Sequence, residues 1–134
     1  MQIARSWRQQ PTNLRLIGSL CPACGSLEFP ERIRCARCGA GSLQNHRYSG
    51  RGRVITFSLV YEAPRGFAEQ VPYLAALVRL DEGPMIATML TDVDEEDVRV
   101  DMPVEMVTRR ISADGDTGPI MYGYKFAPAI EGAP

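Results

Sequence analysis

The spacing of apolar residues changes along this chain, and the changes predict its elements. Over residues 2–17, QIARSWRQQPTNLRLI, apolar Ile3, Trp7, Leu14 and Ile17 recur at three- and four-residue intervals between Arg5, Arg8 and Arg15. That spacing predicts one or two short helices either side of Pro11, ended by Gly18. From residue 53 the period is two. RVITFSLVY (53–61) puts Ile55, Phe57, Leu59 and Tyr61 on one face of a strand. YLAALVRL (73–80) is a nearly continuous apolar run, as a buried strand requires, and the turn Asp81-Glu82-Gly83-Pro84 leads into PMIATML (84–90). VDEEDV (93–98) predicts one helical turn with acids at its favourable N-terminal end. VEMVTRRI (104–111) and IMYGYKF (120–126), joined by the turn ADGDTG (113–118), complete the set; Ile120, Tyr122, Tyr124 and Phe126 alternate strictly.

Five short strands, with a longer break and a helical turn between the third and fourth, predict an OB-like Greek-key barrel. A sandwich would need about seven. Between helices and barrel lies LCPACGSLEFPERIRCARCGA (20–40), which holds all four cysteines, Cys21, Cys24, Cys35 and Cys38. A Cys21–Cys24 disulfide would close a strained, very small loop. A thioredoxin-like pair would open a helix of a βαβ unit, and the pattern contains none. Tetrahedral thiolate ligation fits the spacing, because each Cys-x-x-Cys turn aims two sulfurs at one point. Gly25 and Gly39 follow the second cysteine of each pair, where the knuckle turns tightly, and Pro22 stiffens the first. SLEFPERIR between them reads as two strands turning at Pro30-Glu31. Zinc is the expected ion; iron, as in rubredoxin, uses the same ligands. Four cysteines close the site, so the ion would be structural.

The predicted architecture is therefore mainly β. A helical segment (1–17) precedes a rubredoxin-like zinc ribbon (18–48), a five-stranded OB-fold barrel (49–128) and a flexible tail (129–134). Removing the metal is expected to melt residues 18–40 ahead of the barrel.

The 134 residues are enough for one core and carry an ordinary 45% of hydrophobic residues. No stretch approaches a membrane span, and MQIARSWRQQ lacks the apolar core of a signal peptide, so a cytoplasmic, reducing setting is expected. The net charge of −1 hides a split. Residues 1–53 carry nine Arg against two Glu, and residues 54–134 six Arg or Lys against fourteen Asp or Glu. Two surfaces with different partners, or halves that neutralise each other, both account for it.

Catalytic candidates are few. His46 is the only histidine and reads as a surface residue beside the junction. Asp114 and Asp116 lack the later ligands of a calcium loop, the run Asp92, Asp94, Glu95, Glu96 and Asp97 reads as a solvated face, and Lys125 has no Schiff-base setting. An OB barrel with a basic first half raises single-stranded nucleic acid as a partner, but stacking aromatics are missing from the middle strands, which argues against it.

WRQQPTNLRLIGSLCPACGSLEFPERIRCARCG, then GRGRVITFSLVYEAPRGFAEQVPYLAALVRLDEGP, then YGYKFAP resemble the zinc-ribbon/OB-fold family called domain of unknown function 35, from about Trp7 to Pro128. Within it the chain is most similar to the type of the bridging subunit of the acetoacetyl-CoA thiolase and 3-hydroxy-3-methylglutaryl-CoA (HMG-CoA) synthase complex. The resemblance implies a non-catalytic scaffold in a hetero-oligomer, aiding transfer of acetoacetyl-CoA in the mevalonate pathway, with CoA thioester contacted inside the complex. It carries Cys21, Cys24, Cys35 and Cys38 over as metal ligands and no catalytic residue. Relatives that serve other thiolases leave an accessory role elsewhere as the alternative. The loop Glu62 to Pro72 is too long for a tight hairpin, and OB barrels bind through this loop. Phe67 is then either an interface anchor with Arg65 beside it, or a cap on the barrel's own core.

Overall fold

The structure, a computed structural model, describes residues 3–65, 70–113, 117–118 and 120–130. Two short helices open it, α1 (Ile3–Arg8) and α2 (Gln10–Arg15). Pro11 sits in the first turn of α2, where a missing N–H is no loss. The predicted stop at Gly18 is corrected. α2 ends at Arg15, and Leu16 takes a left-handed conformation (φ 49°, ψ 53°) with its N–H on the Pro11 carbonyl. That conformation costs a leucine about 1–2 kcal/mol, which full burial of its side chain offsets. Leu16, outside the predicted packing set, is what enters the core; Trp7 stays 72% exposed, and Leu14 and Ile17 are half-buried.

The ribbon is a three-stranded antiparallel sheet of β1 (Ile17–Leu20), β2 (Leu27–Glu28) and β3 (Gln44–Arg47), in the order β2-β1-β3. The expected pair of strands within SLEFPERIR is thereby corrected. Only β2 forms there, and its partner is β1; Pro30 follows with no N–H to extend a ladder. Gly18 lies inside β1, where a Cβ would run into the Glu28 carbonyl and the Tyr48 ring.

The barrel strands are β4 (Arg51–Val60), β5 (Tyr73–Leu80), β6 (Met85–Leu90), β7 (Pro103–Ala113) and β8 (Ile120–Pro128). They close in the order β4-β5-β6-β8-β7, a five-stranded OB-fold barrel. A 3-10 turn, Glu95–Asp97, lies between β6 and β7. Residues 114–116 of the predicted hairpin turn and 131–134 of the predicted tail lie outside the described residues.

Two strand faces differ from the simple alternation. A bulge between Val54 and Thr56 shifts the phase of β4. Val54, Phe57 and Leu59 therefore face the core, while Ile55 is half-buried and Tyr61 exposed. In β8, Tyr124 and Phe126 pack inward as predicted, but Ile120 and Tyr122 are exposed. The first half of β8 pairs with β7 alone; its parallel contact with β6 is the single pair Leu90 and Phe126.

Ribbon and barrel share one core. Leu16 and Tyr48 belong to the same buried cluster as Val54, Leu74, Val78, Leu80 and Phe126, and Leu27 and Phe29 pack against it. Edge-to-face ring contacts run across the seam from Tyr48 to Phe29 (6.0 Å), Phe29 to Tyr124 (5.8 Å) and Tyr124 to Phe126 (6.5 Å). Such contacts contribute about 0.5–1.5 kcal/mol each beyond the area they bury.

Candidate functional site

The two Cys-x-x-Cys turns are built alike. In the first, the Gly25 N–H donates to the Cys21 carbonyl (2.8 Å) and the Cys21 N–H to the Ser26 carbonyl (2.9 Å). In the second, fourteen residues on, the Gly39 N–H donates to the Cys35 carbonyl (2.9 Å) and the Cys35 N–H to the Ala40 carbonyl (3.0 Å). Gly25 and Gly39 adopt φ of 76° and 78°, a region open to glycine without strain.

Both turns aim their sulfurs at one point: the four Sγ atoms lie within 4.8 Å of one another. Cys21 Sγ is 3.5 Å from Cys38 Sγ, and Cys24 Sγ 3.6 Å from Cys35 Sγ. These distances are far from the ~2.0 Å of a disulfide and close to the ~3.8 Å edge of a tetrahedron drawn 2.3 Å around zinc. The donor chemistry agrees. Hydrogen bonds from the Cys38 and Arg37 backbone pull the Cys35 thiol down to about 6. At Cys24 the Ser26 backbone N–H favours the thiolate, but burial and the neighbouring sulfurs outweigh it and push the thiol up to about 12. Four thiolates this close need a cation among them, and a dication bound by four thiolates meets that need.

Two side chains that sequence reasoning missed support the turns. Ser19, buried in β1, accepts the Arg32 N–H at 2.8 Å on its hydroxyl. Glu28 of β2 accepts the Ala36 N–H at 2.9 Å, and its other oxygen lies 3.3 Å from Arg32 Nε. The first arm of the ribbon thus holds the second knuckle in place before any metal is considered. The available signal was charge: Glu28 is one of only two acids in a first half that carries nine arginines.

Across the seam, Glu82 in the β5–β6 turn accepts the Ser49 N–H (2.8 Å) and hydroxyl (3.0 Å). His46 is half-buried there, with its ring 4.8 Å from that of Tyr48 and Nε2 3.8 Å from Glu82. Gln70 bridges barrel strands, donating to the Ile111 carbonyl (2.7 Å) and accepting from Lys125 Nζ (3.3 Å). Burial, helped by the Arg109 charge, holds the Lys125 amine below its ordinary range. Asp92 pairs with Arg109 at 2.7 Å. Of the predicted interface residues, Arg65 is exposed and far in sequence from the cysteines, while Phe67 lies outside the described residues.

A groove of about 540 Å³ runs between Gln9 and Asn13 of the helical segment and the barrel wall of Tyr73, Ala87, Met89 and Tyr122. None of its described lining residues is charged, so these residues offer no cation to a phosphate backbone. Among the described residues, no helix is long and apolar enough to cross a membrane.

Known proteins match this architecture over its length. The family model described as ChsH2, rubredoxin-like zinc ribbon domain, matches residues 8–44, and that described as ChsH2, C-terminal OB-fold domain, matches residues 45–109. A DUF35 domain-containing scaffold protein of Pyrococcus furiosus is 45% identical over 131 residues, 98% of this chain and 96% of the relative. Benzoylsuccinyl-CoA thiolase subunit BbsA of Geobacter metallireducens is 32% identical over 83% of this chain and 73% of the subunit. Among solved structures, a chain of the Ltp2-ChsH2(DUF35) aldolase is similar with a TM-score of 0.72 and 26% identity, covering 95% of this chain and 94% of that one.

Proposed function

The chain belongs to the DUF35 family of zinc-ribbon and OB-fold proteins, and from that premise we propose that it is a non-catalytic scaffold subunit for thiolase-fold acyl-CoA enzymes. The observation that carries the proposal is the match, over nearly the whole of both chains, to a relative called a scaffold protein. The convergence of all four sulfurs supports it, since thiols held by an ion are withdrawn from nucleophilic chemistry. Cys21, Cys24, Cys35 and Cys38 are proposed to hold one structural zinc, which fixes the ribbon and supplies no step of a reaction.

In its finer form the proposal places the chain between acetoacetyl-CoA thiolase and HMG-CoA synthase in the cytoplasm, where it aids transfer of acetoacetyl-CoA in the mevalonate pathway. Its support is the resemblance of PRGFAEQVPY and LDEGP to the bridging subunit; the second segment holds Glu82, which fastens the barrel turn to the ribbon linker. The names of BbsA and of the Ltp2-ChsH2 aldolase favour a second reading, service to another thiolase or to an aldolase. Coupled assays separate them. Thiolase and synthase from the source organism should convert acetyl-CoA to HMG-CoA faster with the chain than without it, and the chain alone should turn over no thioester. Turnover by the isolated chain would end the scaffold reading; indifference of this enzyme pair would leave the second one.

A further inference from the structure

We propose that the second knuckle of the ribbon seats in an acid-rimmed apolar groove on the barrel of a second copy of this chain. The inference stands on this chain's own two surfaces and is independent of the scaffold reading. The groove, about 490 Å³, is walled by Leu74, Met89, Leu90 and Val93 and edged by exposed Asp94 and Glu95. Asp92 and Lys125 line it as well, but each already has a partner. The Asp92 carboxylate meets Arg109 at 2.7 Å, and Lys125 Nζ donates to Gln70 at 3.3 Å. Asp94 and Glu95 pair with no described cation. The Asp94 side chain makes no cap bond to the 3-10 turn that follows it.

The knuckle presents the complement. Ile33 is 88% exposed, more than any other large apolar side chain described, and it stands among exposed Arg32, Arg34 and Arg37. Arg32 is engaged by Glu28, whereas no described carboxylate pairs with Arg34 or Arg37. Two unpaired guanidiniums therefore match two unpaired carboxylates, and an exposed aliphatic side chain has an apolar groove to enter. The Arg32 N–H on Ser19 and the Ala36 N–H on Glu28 hold the knuckle in shape, which lessens the entropy lost on docking.

The positions of the two surfaces make the contact one between chains. Leu59, Leu74 and Leu90 put the groove at the end of β4, the start of β5 and the end of β6. The ribbon is fastened at the opposite end of these strands, where Ser49 meets Glu82 of the β5–β6 turn. The eight residues of β5 separate the two ends by about 25 Å. Two chains lying antiparallel make the contact twice and close as a two-fold dimer. An enzyme that docks on either surface must displace the second copy.

The test is sedimentation of the full-length, zinc-loaded chain over a concentration series at low and moderate salt, with no enzyme present. The wild type should pass from monomer to dimer, and added salt should weaken the dimer. The variants are Ile33→Asp, Arg34→Glu/Arg37→Glu on the knuckle and Asp94→Arg/Glu95→Arg on the groove, each checked for unchanged zinc content and thermal midpoint. Each alone should weaken dimerisation roughly tenfold or more. An equal mixture of the two charge-reversed variants should restore it, because each then offers the other a complementary knuckle and groove. Trp7→Ala is the control, since Trp7 is the other exposed apolar residue set between arginines, Arg5 and Arg8; it should dimerise like the wild type. A wild type that stays monomeric, variants that dimerise like it, or a mixture that stays monomeric would overturn the contact. Growth past the dimer would overturn the two-fold arrangement. Loss of dimer in Trp7→Ala with Ile33→Asp unaffected would overturn the assignment to the knuckle.

Discussion

Tyr48 joins the two modules of this molecule through one side chain. It is 3% exposed, its hydroxyl donates to the Glu28 carbonyl at 2.9 Å, and its N–H donates to the Leu16 carbonyl at 3.0 Å. Tyr48→Phe keeps the ring and strands the carbonyl, so a loss of about 1–2 kcal/mol is expected; Tyr48→Ala also leaves a cavity and should cost about 3–5 kcal/mol by denaturant unfolding. Burial, and then the charges of Glu82 and Glu28, push its phenol up to about 12 from an ordinary 10. The fold favours the neutral phenol, so this stabilisation is complete below pH 10 and is lost as the pH rises to about 12. The wild type's thermal midpoint should therefore fall more steeply across that window than that of Tyr48→Phe, and parallel curves would refute the assignment. For Phe67, replacement by alanine should weaken binding to the partner about tenfold without lowering the midpoint; a lower midpoint with binding intact would assign it to the barrel's own core. The cysteines and their glycines were legible in sequence because four like residues at fixed spacing have few geometric solutions. Tyr48, Ser19 and Glu28 were not, because a lone polar or aromatic residue carries no period, and only the folded chain shows which backbone group it meets.

At the level of elements, the period-two pattern located all five barrel strands within two residues at each end. It misassigned faces where something other than alternation acts: the bulge in β4, and the open flank along the first half of β8. The helical stretch was legible, but its end was not, since a left-handed leucine has no signature in sequence. The ribbon sheet was the least legible. Its strands are four, two and four residues long, and β1 finds its partners on either side of the second knuckle. Gly18 in β1 has no room for a Cβ. Gly18→Ala should destabilise the protein by about 1–3 kcal/mol, because the methyl group would meet the Glu28 backbone and the Tyr48 ring, neither of which can yield freely. The effect is checked by denaturant midpoint, and an alanine variant as stable as the wild type would contradict the packing at the seam. Cys38→Ser should lower zinc content well below one ion per chain in elemental analysis, and it should loosen the second knuckle first.

On the scale of the molecule, the shared core changes the expected response to metal removal. The sequence pattern set residues 18–40 apart as an independently melting ribbon, yet Leu16, Tyr48, Leu27 and Phe29 tie the ribbon's root to the barrel interior. Chelation should therefore lower the barrel's own thermal midpoint as well, read by near-ultraviolet circular dichroism of its tyrosines; a barrel transition indifferent to chelator would restore the two-unit description. The charge split runs along the same axis, with an arginine-rich knuckle in the first half and the acidic turn Glu95–Asp97 in the second. The proposed scaffold role calls for two chemically different surfaces, and the split puts a basic stretch and an acidic turn on one chain. The most direct measurement is native mass spectrometry of the chain mixed with the thiolase and the synthase. Assemblies containing both enzymes, with one zinc for every copy of this chain, are the predicted result. Enzymes that assemble with each other while this chain flies alone, or a chain that carries no metal, would contradict the account.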